Sequence, residues 1–177
     1  MIRIRITDTH IKNGKLDQAA LAAFGADAVE FEGDKIIFKS DVEFWECDNL
    51  TSVSGVTFNG CVTQFAWCDS LNSVDGVNFN GCVLFYYCPN LASVSGANFK
   101  GDVGFSCCNS LATAVDTVFN GYVSFEDCNK LTSVAGATFN GNVSLCRCNS
   151  LASVSGATFK KGFEAIDCRH LKQEELK

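Results

Sequence analysis

Cysteine returns through this chain at a fixed interval. Cys47, Cys68, Cys88, Cys108, Cys128, Cys148 and Cys168 are separated by 21 residues once and by 20 in the five steps that follow. Leucine stands three places after each of them, from Leu50 to Leu171. Valine keeps the same beat at Val53, Val74, Val94, Val134 and Val154, with Ala114 in the remaining unit. Glycine recurs at Gly55, Gly76, Gly96, Gly136 and Gly156, Asp116 replacing it once, and phenylalanine runs from Phe38 to Phe159. A 20-residue unit is too short to bury a core alone, so its apolar side must lie against the next copy. The chain is therefore expected to be a stack of coils.

A V-x-F pair closes each unit, as in Val83/Phe85, Val103/Phe105 and Val123/Phe125, drifting to Val143/Leu145 and Phe163/Ala165 at the end. Alternation of β-branched and aromatic residues marks a strand with one buried face. Stacking the units then builds one parallel sheet of about seven short strands, roughly 4.8 Å apart. The preceding "FNG" or "FKG" step reads as a turn in which glycine takes positive φ. In the longer unit "VTQF" stands for V-x-F, and Thr63 or Gln64 is expected to bulge so that Val62 and Phe65 both stay inside.

The ends depart from the period. Residues 1–35 read as an αβ N-terminal cap: "IRIRIT" is a strand, and "KLDQAALAAFG" a short helix with Leu16, Ala20 and Phe24 on one face and Gly25 as its stop. "VEFEGDKIIF" is a degenerate first coil. The repeats then occupy 36–171, and the charged tail 172–177 is expected to help close the other end.

"VEFWECDNLTSVSG" and "VSFEDCNKLTSVAG" resemble the leucine-rich repeat signature L-x-L-x-x-N/C-x-x-L, with Val and Phe for the strand leucines and cysteine for the usual asparagine. The short period and "LTSVxG" tail are most similar to repeats of bacterial and phage proteins. The resemblance covers about residues 36–171 and implies an α/β repeat solenoid that serves as a scaffold for binding. A pentapeptide-repeat β-helix also has 20-residue coils but needs an apolar centre every fifth residue. The steps from Leu50 to Val53 and from Val83 to Phe85 do not supply it.

With V-x-F inward, the neighbouring positions face outward onto the open, concave side of the sheet. They include Asp41, Glu43, Trp45 and Glu46, then Cys61, Thr63 or Gln64, Ala66 and Trp67, then Cys82, Leu84, Tyr86 and Tyr87, and further on Tyr122, Glu126 and Asp127. Both tryptophans and all three tyrosines of the chain fall on this face, whereas the inward columns use phenylalanine. Exposed Trp and Tyr supply large contact area at low entropic cost, as at binding hot spots. Mutual packing across neighbouring strands is the plainer alternative. Carboxylates on both sides of the aromatics suit a partner protein with a basic surface, including one that itself binds nucleic acid.

Lys and Arg total 14 against 20 Asp and Glu, a net charge of −6, which disfavours direct nucleic-acid binding by this chain. The first residues alternate apolar and charged without an apolar signal core, and no run approaches the length of a membrane span. A cytoplasmic protein is expected. No C-x-x-C pair occurs and the two histidines, His10 and His170, lie near opposite ends, so neither a metal nor a cofactor is expected. The periodic cysteines read as reduced, buried small residues. No nucleophile–base set and no phosphate loop can be assembled, so the chain is read as non-enzymatic. A protein-binding module, such as a phage or bacterial inhibitor or effector that occludes a host protein, is the expected function. A carbohydrate-binding or surface-recognition module and a self-associating structural solenoid are the alternatives.

Overall fold

The computed structural model describes residues 3–172. It is a mostly-β parallel solenoid built on two eight-stranded sheets that run the length of the stack. One sheet holds the V-x-F strands: Arg3–Ile6 at its edge, then Asp41–Trp45, Val62–Ala66, Cys82–Tyr86, Val103–Ser106, Val123–Glu126, Val143–Cys146 and Phe163–Ile166. The second sheet was not expected from the sequence. It is made of strands of two to four residues, from Val29–Glu32 and Lys35–Phe38 through Val56–Phe58 to Thr158–Phe159. All its pairings are parallel except the first, where Val29–Glu32 folds back on Lys35–Phe38 around Gly33.

The core lies between the sheets and is a pair of phenylalanine columns. Phe38, Phe58, Phe79, Phe99, Phe119, Phe139 and Phe159 stack from the short-strand sheet with centroids 5.0–5.4 Å apart and nearly parallel rings. Phe44, Phe65, Phe85, Phe105 and Phe125 stack from the long-strand sheet at 4.4–5.2 Å. The columns meet edge to face, as Phe79 and Phe85 do at 6.0 Å and 88°, the arrangement the ring quadrupole favours. Ring spacing is close to strand spacing, so each coil places one ring on the last.

Three corners turn the coil, and each explains a periodic residue. The cysteines are buried from Cys47 to Cys148, and their thiols point back to the preceding coil, as Cys88 Sγ does to the Phe65 carbonyl at 3.7 Å and Cys148 Sγ to that of Phe125 at 3.6 Å. Thiol is small, apolar enough to bury, and keeps one weak donor. At the second corner a serine or threonine hydroxyl accepts the N–H two residues on, as Ser52 does from Ser54 and Ser133 from Ala135. The Gly55 column follows with φ of 65–82°, and Asp116 adopts φ 55° where it replaces glycine, a conformation aspartate tolerates.

The third corner corrects two expectations. Gly60, Gly81, Gly101, Gly121 and Gly141 of the "FNG" and "FKG" steps do not have positive φ; a Cβ on any of them would lie under 3.0 Å from backbone of the preceding coil. Glycine is required here for close approach. Nor does the long unit bulge in its strand. Thr63 pairs with Val42 and Val83 and is buried, while Val62 is exposed. The extra residue is absorbed in the corner between Phe58 and Thr63, where the Asp41 carboxylate accepts the Val62 N–H at 3.0 Å. A corner accommodates an insertion more cheaply than a ladder paired on both sides.

At the N-terminal end Arg3–Ile6 joins the long-strand sheet in register with Asp41–Phe44. The expected helix is a single turn, Gln18–Leu21, capped by the Asp17 side chain and continued by a 3₁₀ turn to Phe24 that stops at Gly25 (φ 81°). The sequence "VEFEGDKIIF" is the antiparallel hairpin described above, and its second strand begins the short-strand sheet. At the other end Phe163, Ala165 and Leu171 are only partly buried. The tail beyond Lys172 lies outside the described residues.

Candidate functional site

The outward positions of the long-strand sheet form columns across the coils, because each strand pairs in register with the next. One column reads Arg5, Glu43, Gln64, Leu84, Gly104, Ser124, Ser144 and Glu164; another reads Trp45, Ala66, Tyr86, Ser106, Glu126, Cys146 and Ile166. A third lies just past the strand, at the turn into the buried cysteine. Glu46, Trp67, Tyr87, Cys107, Asp127, Arg147 and Asp167 stand there, all left-handed with φ of 49–57°. From Glu46 to Arg147 their N–H groups stay in the ladder, as Trp67 N–H to the Tyr86 carbonyl and Tyr87 N–H to that of Ser106, both at 3.0 Å. The left-handed residue thus keeps its bond while the chain swings inward. For tryptophan and tyrosine this conformation costs on the order of 1 kcal/mol each.

The two latter columns interleave into one aromatic patch. Trp45 and Trp67 meet at 4.5 Å and 65°, Trp67 and Tyr86 at 5.3 Å, Trp67 and Tyr87 at 6.3 Å, and Tyr86 and Tyr87 at 4.8 Å. Ala66, the small residue paired with Trp45 on one side and Tyr86 on the other, is buried. The rings cover one another only in part: Trp67 is 37% and Tyr87 45% exposed, while Trp45 and Tyr86 are half-buried. Val62, Leu84 and Tyr122 carry the apolar surface on across the sheet, 37–43% exposed. With Cys82 they border a shallow depression of about 180 Å³ over Gly104, which would admit a side chain and is smaller than the usual ligand pocket.

Of the charged positions expected on this face, the structure leaves some available and ties up others. Asp41 is buried and engaged with the Val62 N–H. Glu43 is half-buried and Glu46 exposed beside Trp45. Glu126 and Asp127 are both held by Arg147: Nη2 donates to Glu126 Oε1 at 2.7 Å and to Asp127 Oδ2 at 2.8 Å, and Nε donates to Asp127 Oδ1 at 2.8 Å. The guanidinium holds the Asp127 carboxyl below its usual range. The free acidic charge therefore gathers on the N-terminal side of the aromatics and does not flank them evenly.

Sequence reading missed Arg5, whose guanidinium lies 5.3 Å from the Trp45 ring centroid. The alternation in "RIRIT" could have revealed it, had the segment been placed in the main sheet. It also missed Asp48 and Asp69, which follow the periodic cysteine and line a cleft with Trp45, Glu46 and Trp67. Among the described residues there is no group of three or more His, Cys, Asp or Glu arranged to hold a metal ion. No helix among them is long and apolar enough to cross a membrane. The Tyr87 hydroxyl is pushed above its ordinary pKa, first by its hydrogen bond with the Cys107 thiol. No family model matches the chain, and no curated protein or solved structure matches it either.

Proposed function

We propose that the chain is a non-enzymatic protein-binding module whose long-strand face engages a partner with a basic surface. The aromatic patch carries this reading. Trp45, Trp67, Tyr86 and Tyr87 form one continuous group across three adjacent coils, and two of them hold strained left-handed backbone. Strain kept at an exposed surface, where glycine would relieve it, points to selection for the side chain. An inhibitor or effector that occludes its partner is the most concrete form, because this face offers breadth in place of depth. The likeness of the coil motif to leucine-rich repeats supports a scaffold role. The N-terminal residues act as the cap, supported by the pairing of Arg3–Ile6 on the first coil and the burial of Leu21 and Val29. All eleven cysteines are free thiols, which suits a reducing cytoplasm.

The test is capture from an extract of the source cells with the wild-type chain and with Tyr86→Ala/Tyr87→Ala, both verified as folded. A protein retained by the first and lost by the second, with retention falling as salt rises, is the expected result. Equal retention by both contradicts the reading. Salt-insensitive retention of glycan, lost in the variant, would favour carbohydrate recognition instead.

A further inference from the structure

We propose that the cleft bordered by Trp45, Trp67 and the carboxylates beside them is a seat for one cationic side chain, a lysine or arginine presented by the partner; this rests on the protein-binding reading above. The cleft has a volume of about 250 Å³ and is lined by Trp45, Glu46, Asp48, Trp67 and Asp69. Its walls are thus two indoles and three carboxylates, with no cation among them. Indole faces attract cations through their quadrupole, and adjacent carboxylates add charge-assisted hydrogen bonds. The space is below the usual range for small-molecule pockets of about 300–1,000 Å³ and suits a single side chain.

The repeat itself shows that these carboxylates are a departure. The position after each periodic cysteine is Asp48, Asp69, Pro89, Asn109, Asn129, Asn149 and Arg169. In the middle coils the asparagines link into a ladder, Asn129 Nδ2 donating to Asn109 Oδ1 at 3.3 Å and Asn149 Nδ2 to Asn129 Oδ1 at 3.1 Å, with Asn149 Oδ1 at its end left unpaired among the described residues. Aspartates in consecutive coils cannot make that ladder, and like charges on neighbouring strands repel. Of the seven coils, only the two that carry the tryptophans place a carboxylate at this position. None of Glu46, Asp48 and Asp69 forms an ion pair among the described residues. Arg5 supplies an internal precedent: its guanidinium already lies over Trp45 from the strand on the side away from Trp67. A partner cation would add a second such contact from the cleft side of the packed indoles.

The experiment titrates the 177-residue chain with N-acetyl-arginine amide, N-acetyl-lysine amide and the neutral N-acetyl-glutamine amide, following tryptophan fluorescence and the indole N–H resonances. The expected result is a saturable, salt-sensitive response to the two cations and none to the glutamine amide. In Asp48→Asn/Asp69→Asn, which restores the residue of the middle coils, the response should weaken about tenfold while the fold persists. A response shared by the neutral amide, or unchanged in this variant, overturns the proposal. Its failure is distinct from failure of the protein-binding reading. If the seat is wrong, partner capture still depends on Tyr86 and Tyr87. If the broader reading is wrong, capture ignores every aromatic of the patch even when the cations bind.

Discussion

The left-handed residues at the turn into each cysteine show how a single backbone conformation selects what the surface displays. No coil uses glycine there; the chain places Glu46, Trp67, Tyr87, Cys107, Asp127, Arg147 and Asp167. If those side chains serve binding and not folding, Trp67→Gly should relieve about 1 kcal/mol of backbone strain and be no less stable than the wild-type chain, measured by chemical denaturation. A clear loss of stability against wild type would show that the indole is held for packing. The thiols separate just as sharply. Cys61 and Cys82 are exposed, Cys107 and Cys146 are half-buried, and six of the periodic seven are buried. Burial, its largest cause, pushes the Cys108 thiol up to about 12. Alkylation of native protein should therefore label Cys61 and Cys82 first and Cys47 through Cys148 of the periodic set only after unfolding, with Cys168 in between. Rapid native labelling of Cys88 or Cys108 would contradict the fold. The cysteine column was legible in the sequence because burial repeats. The reason for the second glycine column was not, since a steric approach between coils leaves the same letter as a positive φ.

At the scale of the coil, the unit of stability is a pair of rings in register with the pairs before and after. Phe85 lies 5.0 Å from Phe65 and 5.2 Å from Phe105 and is fully buried. Phe85→Ala should destabilise the protein by roughly 3–5 kcal/mol, because neighbours fixed by their own ladders cannot collapse into the cavity. The Arg147 clamp belongs to the same scale. Asp127 has a lowered pKa in the folded state, so its contribution is present above the unfolded carboxyl value and is lost as pH falls through the folded one. Arg147→Met should accordingly lower stability modestly near neutrality and leave it nearly unchanged in acid, which flattens the acid limb of the stability curve. The V-x-F strands could be read from alternation over three or more residues. The opposite sheet could not, because "NF" and "TF" strands of two residues carry no period. The Val62/Thr63 register failed for a related reason: hydrophobicity favoured Val62 inside, while pairing on both sides fixed Thr63 there.

For the molecule as a whole, a stack is only as sound as its ends. Removing residues 1–35 would strip Arg3–Ile6 from the edge of the long-strand sheet and the hairpin strand from the other. The truncated chain should aggregate or lose its cooperative transition, as seen by light scattering and thermal melting. A soluble, cooperatively folding remainder would show that this segment is no cap. The same scale holds the functional claim, that an aromatic patch with its free carboxylates on one side is a surface for a basic partner. Its location was legible because every Trp and Tyr falls outside the phenylalanine columns. Its lopsided charge was not, because Arg147 neutralises Glu126 and Asp127 through contacts between coils. Once a partner is captured, the most direct measurement is its affinity for Trp67→Ala alongside that variant's melting temperature. The expected result is a loss of about 2 kcal/mol, roughly thirtyfold, with the melting temperature nearly unchanged. Unchanged affinity, or a loss that appears only together with a fall in melting temperature like that of Phe85→Ala, would contradict it.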